Sequence, residues 1–174
     1  MAKERVLGID PGTQVVGWGV VESGVHGPIY VASGVWKLGD SRRSVPERLA
    51  RLRKELVLVL DAWNPTRVAV ESAFFGNNAR SALRIGEARG VVLCSAGERG
   101  IPLVELAPAM VKKRVAGSGA ACKEQVARLL TAQLSCPVFA TEDESDAIAV
   151  ALCAYLDGDT PSFRGKIPPG ARIQ

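Results

Sequence analysis

Acidic side chains placed at the ends of apolar runs narrow what this chain can fold into more than any other feature. Asp10 closes the run in VLGIDPGT and stands directly before a Pro-Gly turn. Glu71 closes a second run, RVAVES, and Asp143 and Asp146 open the apolar segment DESDAIAVALCAYL. Carboxylates rarely border buried elements unless they are paired or bound to a cation. A helix from Asp143 onward puts Asp143 and Asp146 on one face. The pattern predicts a fold in which strand and helix ends meet at one mouth of the core. An oxygen-only site of that kind suits divalent cations and work on phosphate esters without a protein nucleophile.

The bulk composition sets limits around this reading. A chain of 174 residues with 47% hydrophobic and 23% charged residues is expected to form one domain with a sizeable core. No apolar run reaches the length of a membrane span, and MAKERVLGID lacks the apolar stretch of a signal peptide, so a cytoplasmic protein with no membrane partner is expected. Cys94, Cys122, Cys136 and Cys153 are scattered without a CxxC pair and are expected to be buried free thiols. The single histidine, His26, lies in the turn-like SGVHGP and is expected on the surface. One histidine excludes a His-rich zinc site, and no motif supports a Ser-His-Asp triad. The net charge of +4 hints at an anionic partner. Carboxylates gathered in one pocket would leave the remaining surface more cationic than that total.

Along the chain, RVLGI, QVVGWGVVE and GPIYVASGVWKL read as three strands joined by short hairpin connections, antiparallel to one another. Gly17 and Gly19 suggest close backbone approach. Ser44-Val45-Pro46-Glu47 is a capping box with Pro in the first turn, and Leu49, Leu52, Leu56, Val59 and Leu60 follow at helical spacing up to Asn64-Pro65. Then come strand RVAVE, a helix over about residues 79–99, strand PLVEL, a helix, a Gly-rich loop, a helix over Lys123–Leu134 and a last helix from Asp143 to Leu156. Strands first and alternating elements later predict an α/β fold with a central mixed sheet flanked by helices. Residues 1–156 are expected to form the domain and 157–174, rich in Pro and Gly, a disordered tail.

Each motif also has an ordinary explanation. The Asp of GIDPGT can hydrogen-bond its own turn, or belong to a phosphate-binding hairpin of the actin-like ATPase kind. Glu71 can be an exposed strand end, although ligand crevices form at such ends in α/β proteins. Glu142, Asp143, Glu144 and Asp146 can simply favour a helix N-terminus. The apolar AIAVALCAYL that follows requires a largely buried helix, so its acidic end must lie at the edge of the core. Phe74 and Phe75 can fill the core, or Phe74 can stack on bases. Lys112, Lys113 and Arg114, with Lys123 beyond Gly117-Ser118-Gly119, can be a solvated face or a phosphate-binding one. Ala82, Gly86 and Gly90 form a small-residue stripe that admits a second backbone, either the sheet beneath or a partner subunit.

Together LGIDPGTQVVGWGVV, VAVESAFFGNNARSALRIGEARG, VKKRVAGSGAACKEQV and DESDAIAVALCA resemble the RuvC family of Holliday junction resolvases, in the family's order and over nearly all the chain to Leu156. Departures are small: Glu87 stands where Gln is common, Ile148 where Leu is frequent, and the Asp143 position alternates between Asp and His. The resemblance implies an RNase H-like fold with a central mixed five-stranded sheet. It implies a homodimer that cuts four-way junction DNA by paired, symmetric hydrolysis, giving 5′-phosphate and 3′-hydroxyl ends, beside the RuvA–RuvB branch-migration complex. Asp10, Glu71, Asp143 and Asp146 would be the catalytic, metal-binding set for Mg²⁺, two ions per site, with Mn²⁺ as a substitute. Phe74 would contact the junction centre, and Lys112 and Lys123 the scissile-strand phosphate; Arg80 and Arg84 are further candidate DNA contacts. The rival readings are an RNase H-like nuclease with another nucleic-acid substrate, or a non-catalytic junction binder. An actin-like ATPase needs a second related domain, for which this length leaves no room.

Phe74 offers a test of function against packing. If it stacks on bases, Phe74→Ala should leave the melting temperature nearly unchanged and cost about 1–3 kcal/mol in the junction complex, so cleavage of an intact junction falls strongly. A junction already unpaired at its centre should be cut with partial recovery. A core residue would instead lose roughly 3–5 kcal/mol of stability, which thermal unfolding would reveal.

Overall fold

The computed structural model describes residues 3–40, 42–72 and 79–158. Phe74 and nearly all of the expected tail lie outside them. The strands are β1 (Arg5–Asp10), β2 (Val15–Gly24), β3 (Gly27–Lys37), β4 (Arg67–Glu71) and β5 (Leu103–Leu106). The helices are α1 (Val45–Trp63), α2 (Ala79–Glu98), α3 (Pro108–Ala116), α4 (Lys123–Leu134) and α5 (Glu142–Leu156). The strands form one sheet in the order β3-β2-β1-β4-β5. The front hairpins are antiparallel, while β4 joins β1 and β5 joins β4 in parallel. The expected mixed five-stranded sheet is therefore present.

Alternation along the central strands divides the molecule into two cores. Leu7 and Ile9 of β1, and Val68 and Val70 of β4, face a core closed by α1 and α2. Val6 and Ala69 face the opposite core, which α3, α4 and α5 close. Because both faces are covered, β1 is buried along Val6–Ile9 and reads as a continuous apolar run. Helix α1 starts with the capping box between Ser44 and Glu47 and stops at Asn64, which takes the left-handed conformation at φ 44°.

Helix α5 lies on the sheet with almost nothing between the two backbones. Gly8 of β1 and Gly17 and Gly19 of β2 form a track beneath it. A Cβ at Gly8 would collide with the Ala147 carbonyl oxygen, one at Gly17 with the Asp143 carbonyl oxygen, and one at Gly19 with the Ile148 side chain. Such contact requires a helix with small or apolar side chains, and Ser145 and Ala147–Ala154 are all buried.

Two expectations need correction. Cys136 and Cys153 are buried, but Cys94 and Cys122 are exposed, the first on α2 and the second capping α4; all four thiols are free. At Gly86 and Gly90 the sheet does not press against α2, since a Cβ there would meet nothing within 4 Å. His26 is exposed, as expected.

The glycine track predicts a contrast between two glycine substitutions. Gly8→Ala forces α5 off the sheet and should cost about 1–3 kcal/mol or more. Gly97→Ala, in an open position on α2, should instead stabilise by about 0.4–1 kcal/mol. Denaturant unfolding of both variants checks the pair.

Candidate active site

The strand alternation that separates the cores also aims the acids. Asp10 follows Val6 and Gly8 on the α5 side of β1, and Glu71 follows Ala69 on the same side of β4. Ile9 pairs in register with Val70, so the two carboxylates are the next residues on neighbouring parallel strands. Asp146 comes to them from the second turn of α5. These three acids share a cavity of about 270 Å³ with Lys112 of α3 and Lys123 of α4. Pro108, Val111, Val126 and Ala149 supply its apolar wall.

Lys123 is the first residue of α4, where the helix dipole disfavours a cation. Two acids of α5 compensate: its ammonium donates to Asp146 at 2.9 Å and to Glu142 at 3.1 Å. The hydrogen bond to Asp146 is the main reason its pKa rises above the ordinary lysine value. Burial pushes the Asp10 carboxyl up to about 7, and the negative charges of Glu71, Asp146 and Asp143 add to the rise while Lys123 opposes it. Glu71 is raised for the same reasons, first by burial and then by Asp146, against the pull of Lys123 and Lys112. The cavity therefore holds more negative charge than its two lysines neutralise.

Asp10, Glu71 and Asp146 thus converge, as their places at strand and helix ends predict, and Lys112 and Lys123 join them. Asp143 stands one turn earlier on α5, its carbonyl over Gly17, and does not line the cavity. Arg80 is exposed on the first turn of α2. Arg84 donates to Glu87 at 3.2 Å and lines a small cleft with Gly12 and Thr13. Among the described residues, no group of three or more acidic, His or Cys side chains is gathered closely enough to hold an ion as it stands; Asp146 is turned to Lys123 instead. Sequence reasoning missed Glu142 as a partner of Lys123. Only the acid–base pattern of the two helix starts could have hinted at that pairing.

The raised Asp10 pKa has a consequence for stability. A carboxyl lifted on folding from 3.8 to about 7 takes up a proton between those values. Its stabilising contribution is full below the unfolded value and is lost as pH rises through 7. In metal-free protein, Asp10→Asn should raise the melting temperature at pH 8 by at least about 2 °C, the shift roughly 1 kcal/mol produces in a chain this size. The gain should vanish as pH falls towards 4. A thermal unfolding series in chelator measures this, and a loss at pH 8 would show that the Asp10 charge is already compensated.

Comparison with known proteins gives a consistent result. The family model "Crossover junction endodeoxyribonuclease RuvC" matches residues 6–154. The protein of that name from Pelobacter propionicus is 45% identical over 149 residues, 86% of this chain and 84% of the relative. Its counterpart in Myxococcus xanthus is 46% identical over 156 residues, 88% of this chain and 81% of that one. The structure of T. thermophilus RuvC in complex with Holliday junction substrate matches with a TM-score of 0.82 at 34% identity, covering 88% of this chain and 94% of that chain. On sequence and fold together, this chain belongs to the RuvC family of crossover junction endodeoxyribonucleases.

Proposed function

We propose that this protein is a structure-selective endonuclease that resolves four-way DNA junctions by metal-dependent phosphodiester hydrolysis. It would leave 5′-phosphate and 3′-hydroxyl ends and serve recombination and repair in the cytoplasm. The observation that carries this reading is the convergence of Asp10, Glu71 and Asp146 beside Lys112 and Lys123 in one cavity. The T. thermophilus relative, solved with a Holliday junction, supports junction DNA as the substrate. A homodimer would present two such sites to the two symmetric strands, and RuvA–RuvB is the proposed partner in branch migration.

The donor set suits a hard divalent cation, because the acids offer only oxygen and are held together where burial first, and their mutual repulsion second, disfavours their charged forms. Asp10, Glu71 and Asp146, with Asp143 beside them, would hold Mg²⁺, two ions per site, or Mn²⁺ in its place. Such ions, when bound, activate water and neutralise charge on the phosphate. The chain's own residues do the rest. Lys112 draws a phosphodiester towards an otherwise acidic cavity. Lys123 and Asp146 are bonded within the cavity; parted from Asp146, the ammonium would be released for a phosphate oxygen, where it would stabilise developing charge.

The test compares a mobile four-way junction, a linear duplex and an RNA–DNA hybrid, each with and without Mg²⁺. Preferential junction cleavage that needs the metal is expected; preference for the hybrid would make the protein a ribonuclease H, and binding without cleavage a junction binder. Glu71→Gln and Asp146→Asn should each lower cleavage by about 100-fold or more while junction binding persists in chelator. Mn²⁺ should support cleavage, and Ca²⁺ little or none. Cleavage in excess chelator would overturn the metal mechanism.

A further inference from the structure

We infer that Glu144, bonded to Ser33 of the edge strand β3, which Tyr30 in turn holds, is a positioning residue that sets the stance of the acidic first turn of α5. Through that turn it sets the divalent-cation affinity of the site. This inference rests on the metal-dependent reading above.

The grip begins with an irregularity in β3. Val20 pairs with Ala32, but Val21 pairs with Tyr30, so Val31 is an extra residue in the strand. In an unbroken strand, residues three apart point to opposite faces. The bulge brings Tyr30 and Ser33 to the same face, and their hydroxyls lie 2.9 Å apart. Val31 packs into the core on the other side. Ser33 pairs with Gly19, the glycine beneath Ile148, so its side chain faces α5.

Ser33 donates its hydroxyl to one oxygen of Glu144 at 2.6 Å. A serine has a single hydroxyl hydrogen, so Tyr30 must be the donor in its bond to Ser33. The result is a directed chain from Tyr30 through Ser33 to the carboxylate, each link polarising the next. The second Glu144 oxygen accepts the Ala140 N–H at 2.9 Å. The Tyr30 ring meets the ring of Phe139 edge-on, with centroids 6.4 Å apart. Strand β3 thereby holds the segment that enters α5 and the first turn of α5 together. Thr141 caps the helix by accepting the Glu144 N–H, and Glu144, at the capping-box position, reaches back to Ala140; its bond to Ser33 of β3 is what capping does not require.

A positioning device is needed because of what the glycine track leaves free. It fixes the height of α5 above the sheet, and α3 and α4 close over the buried Ala147–Ala154, but the first turn, Glu142–Glu144, lies outside that buried stretch. Arg67 holds the far end through the carbonyls of Ala154 and Gly158. At the near end Lys123 ties Glu142 and Asp146 to α4, and Glu144, between Asp143 and Asp146 in sequence, ties the same turn to β3 on the opposite side. A helix rotation of about 10° carries a side-chain tip roughly 1 Å, enough to spoil a ligand geometry.

The experiment uses the full chain with Ser33→Ala, Glu144→Ala, Glu144→Gln and Tyr30→Phe. Mn²⁺ binding is followed by the spectroscopic signal of the free ion, alongside melting temperature and the Mg²⁺ concentration for half-maximal junction cleavage. Ser33→Ala and Glu144→Ala should weaken Mn²⁺ binding by about 10-fold, the low end of what losing a group that orients metal ligands costs, since both act through the helix turn and not on a ligand directly. Tyr30→Phe should do so less, and Glu144→Gln should lie between, since an amide oxygen cannot match both donors. Junction binding in chelator should not change, and cleavage should recover towards wild type at saturating Mg²⁺. Mn²⁺ affinity within twofold of wild type in both alanine variants overturns the inference, as does a lowered melting temperature with unchanged affinity. Tyr30→Phe removes only a hydroxyl and keeps the test decisive if an alanine variant fails to fold. A wild-type protein that binds Mn²⁺ but leaves junctions intact refutes the nuclease reading, while the grip is still judged on Mn²⁺ affinity.

Discussion

Direct contact between helix α5 and the backbone of β1 and β2 is the constraint on which the rest of the molecule depends. With side chains absent at Gly8, Gly17 and Gly19, the helix comes close enough for its own small residues to form the seal. That closeness completes the core on one face of the sheet. It also brings the acidic start of the helix level with the ends of β1 and β4. Helix packing normally proceeds through interdigitated side chains at 8–10 Å between axes. Here glycine replaces one partner's ridges, so the approach is set by main chain, which cannot adjust by changing rotamer.

What the helix delivers is electrostatically unfavourable. Asp10 and Glu71 are already raised by burial, and Asp146 adds a third negative charge. The free energy to hold such a group together comes from the two apolar cores, which bury nearly every large aliphatic side chain of the central strands. Natural proteins concentrate local conflict of this kind at sites of function. Lys123 moderates the conflict without removing it. Its position at a helix start is itself unfavourable, so the two misplacements stabilise each other across the gap between α4 and α5.

Much of this was legible in the sequence because it is local. The capping box at Ser44, the stop at Asn64 and the bounds of α4 follow from neighbouring residues. Helix α5 begins at Glu142 instead of Asp143 because Thr141, not an acid, is the cap. The convergence of Asp10, Glu71 and Asp146 could be anticipated from strand ends and an apolar helix. What escaped was non-local. The extra residue at Val31 leaves no mark in composition, since Tyr, Val and Ala all suit a regular strand. The pairing of Lys123 with Glu142 depends on how α4 and α5 lie together. The exposure of Cys94 and Cys122 depends on which helix face turned outward. For Ala82, Gly86 and Gly90, spacing allowed two partners and only the packing excluded the sheet.

The order of the parts along the chain has a consequence for how such a protein is made. Asp10 and Glu71 emerge from the ribosome well before Asp146, and until α5 arrives the glycine face of β1 and β2 has no cover. Translation is slow compared with the forming of local helices and hairpins. The nascent chain must therefore wait, with its first acids in place but no third acid and only one core closed. Docking of α5 completes both the fold and the acidic cavity in one event. An acidic cavity arranged in this way cannot arise on a half-made chain. A chain that ends before α5 would lack Asp146 and the cavity it completes.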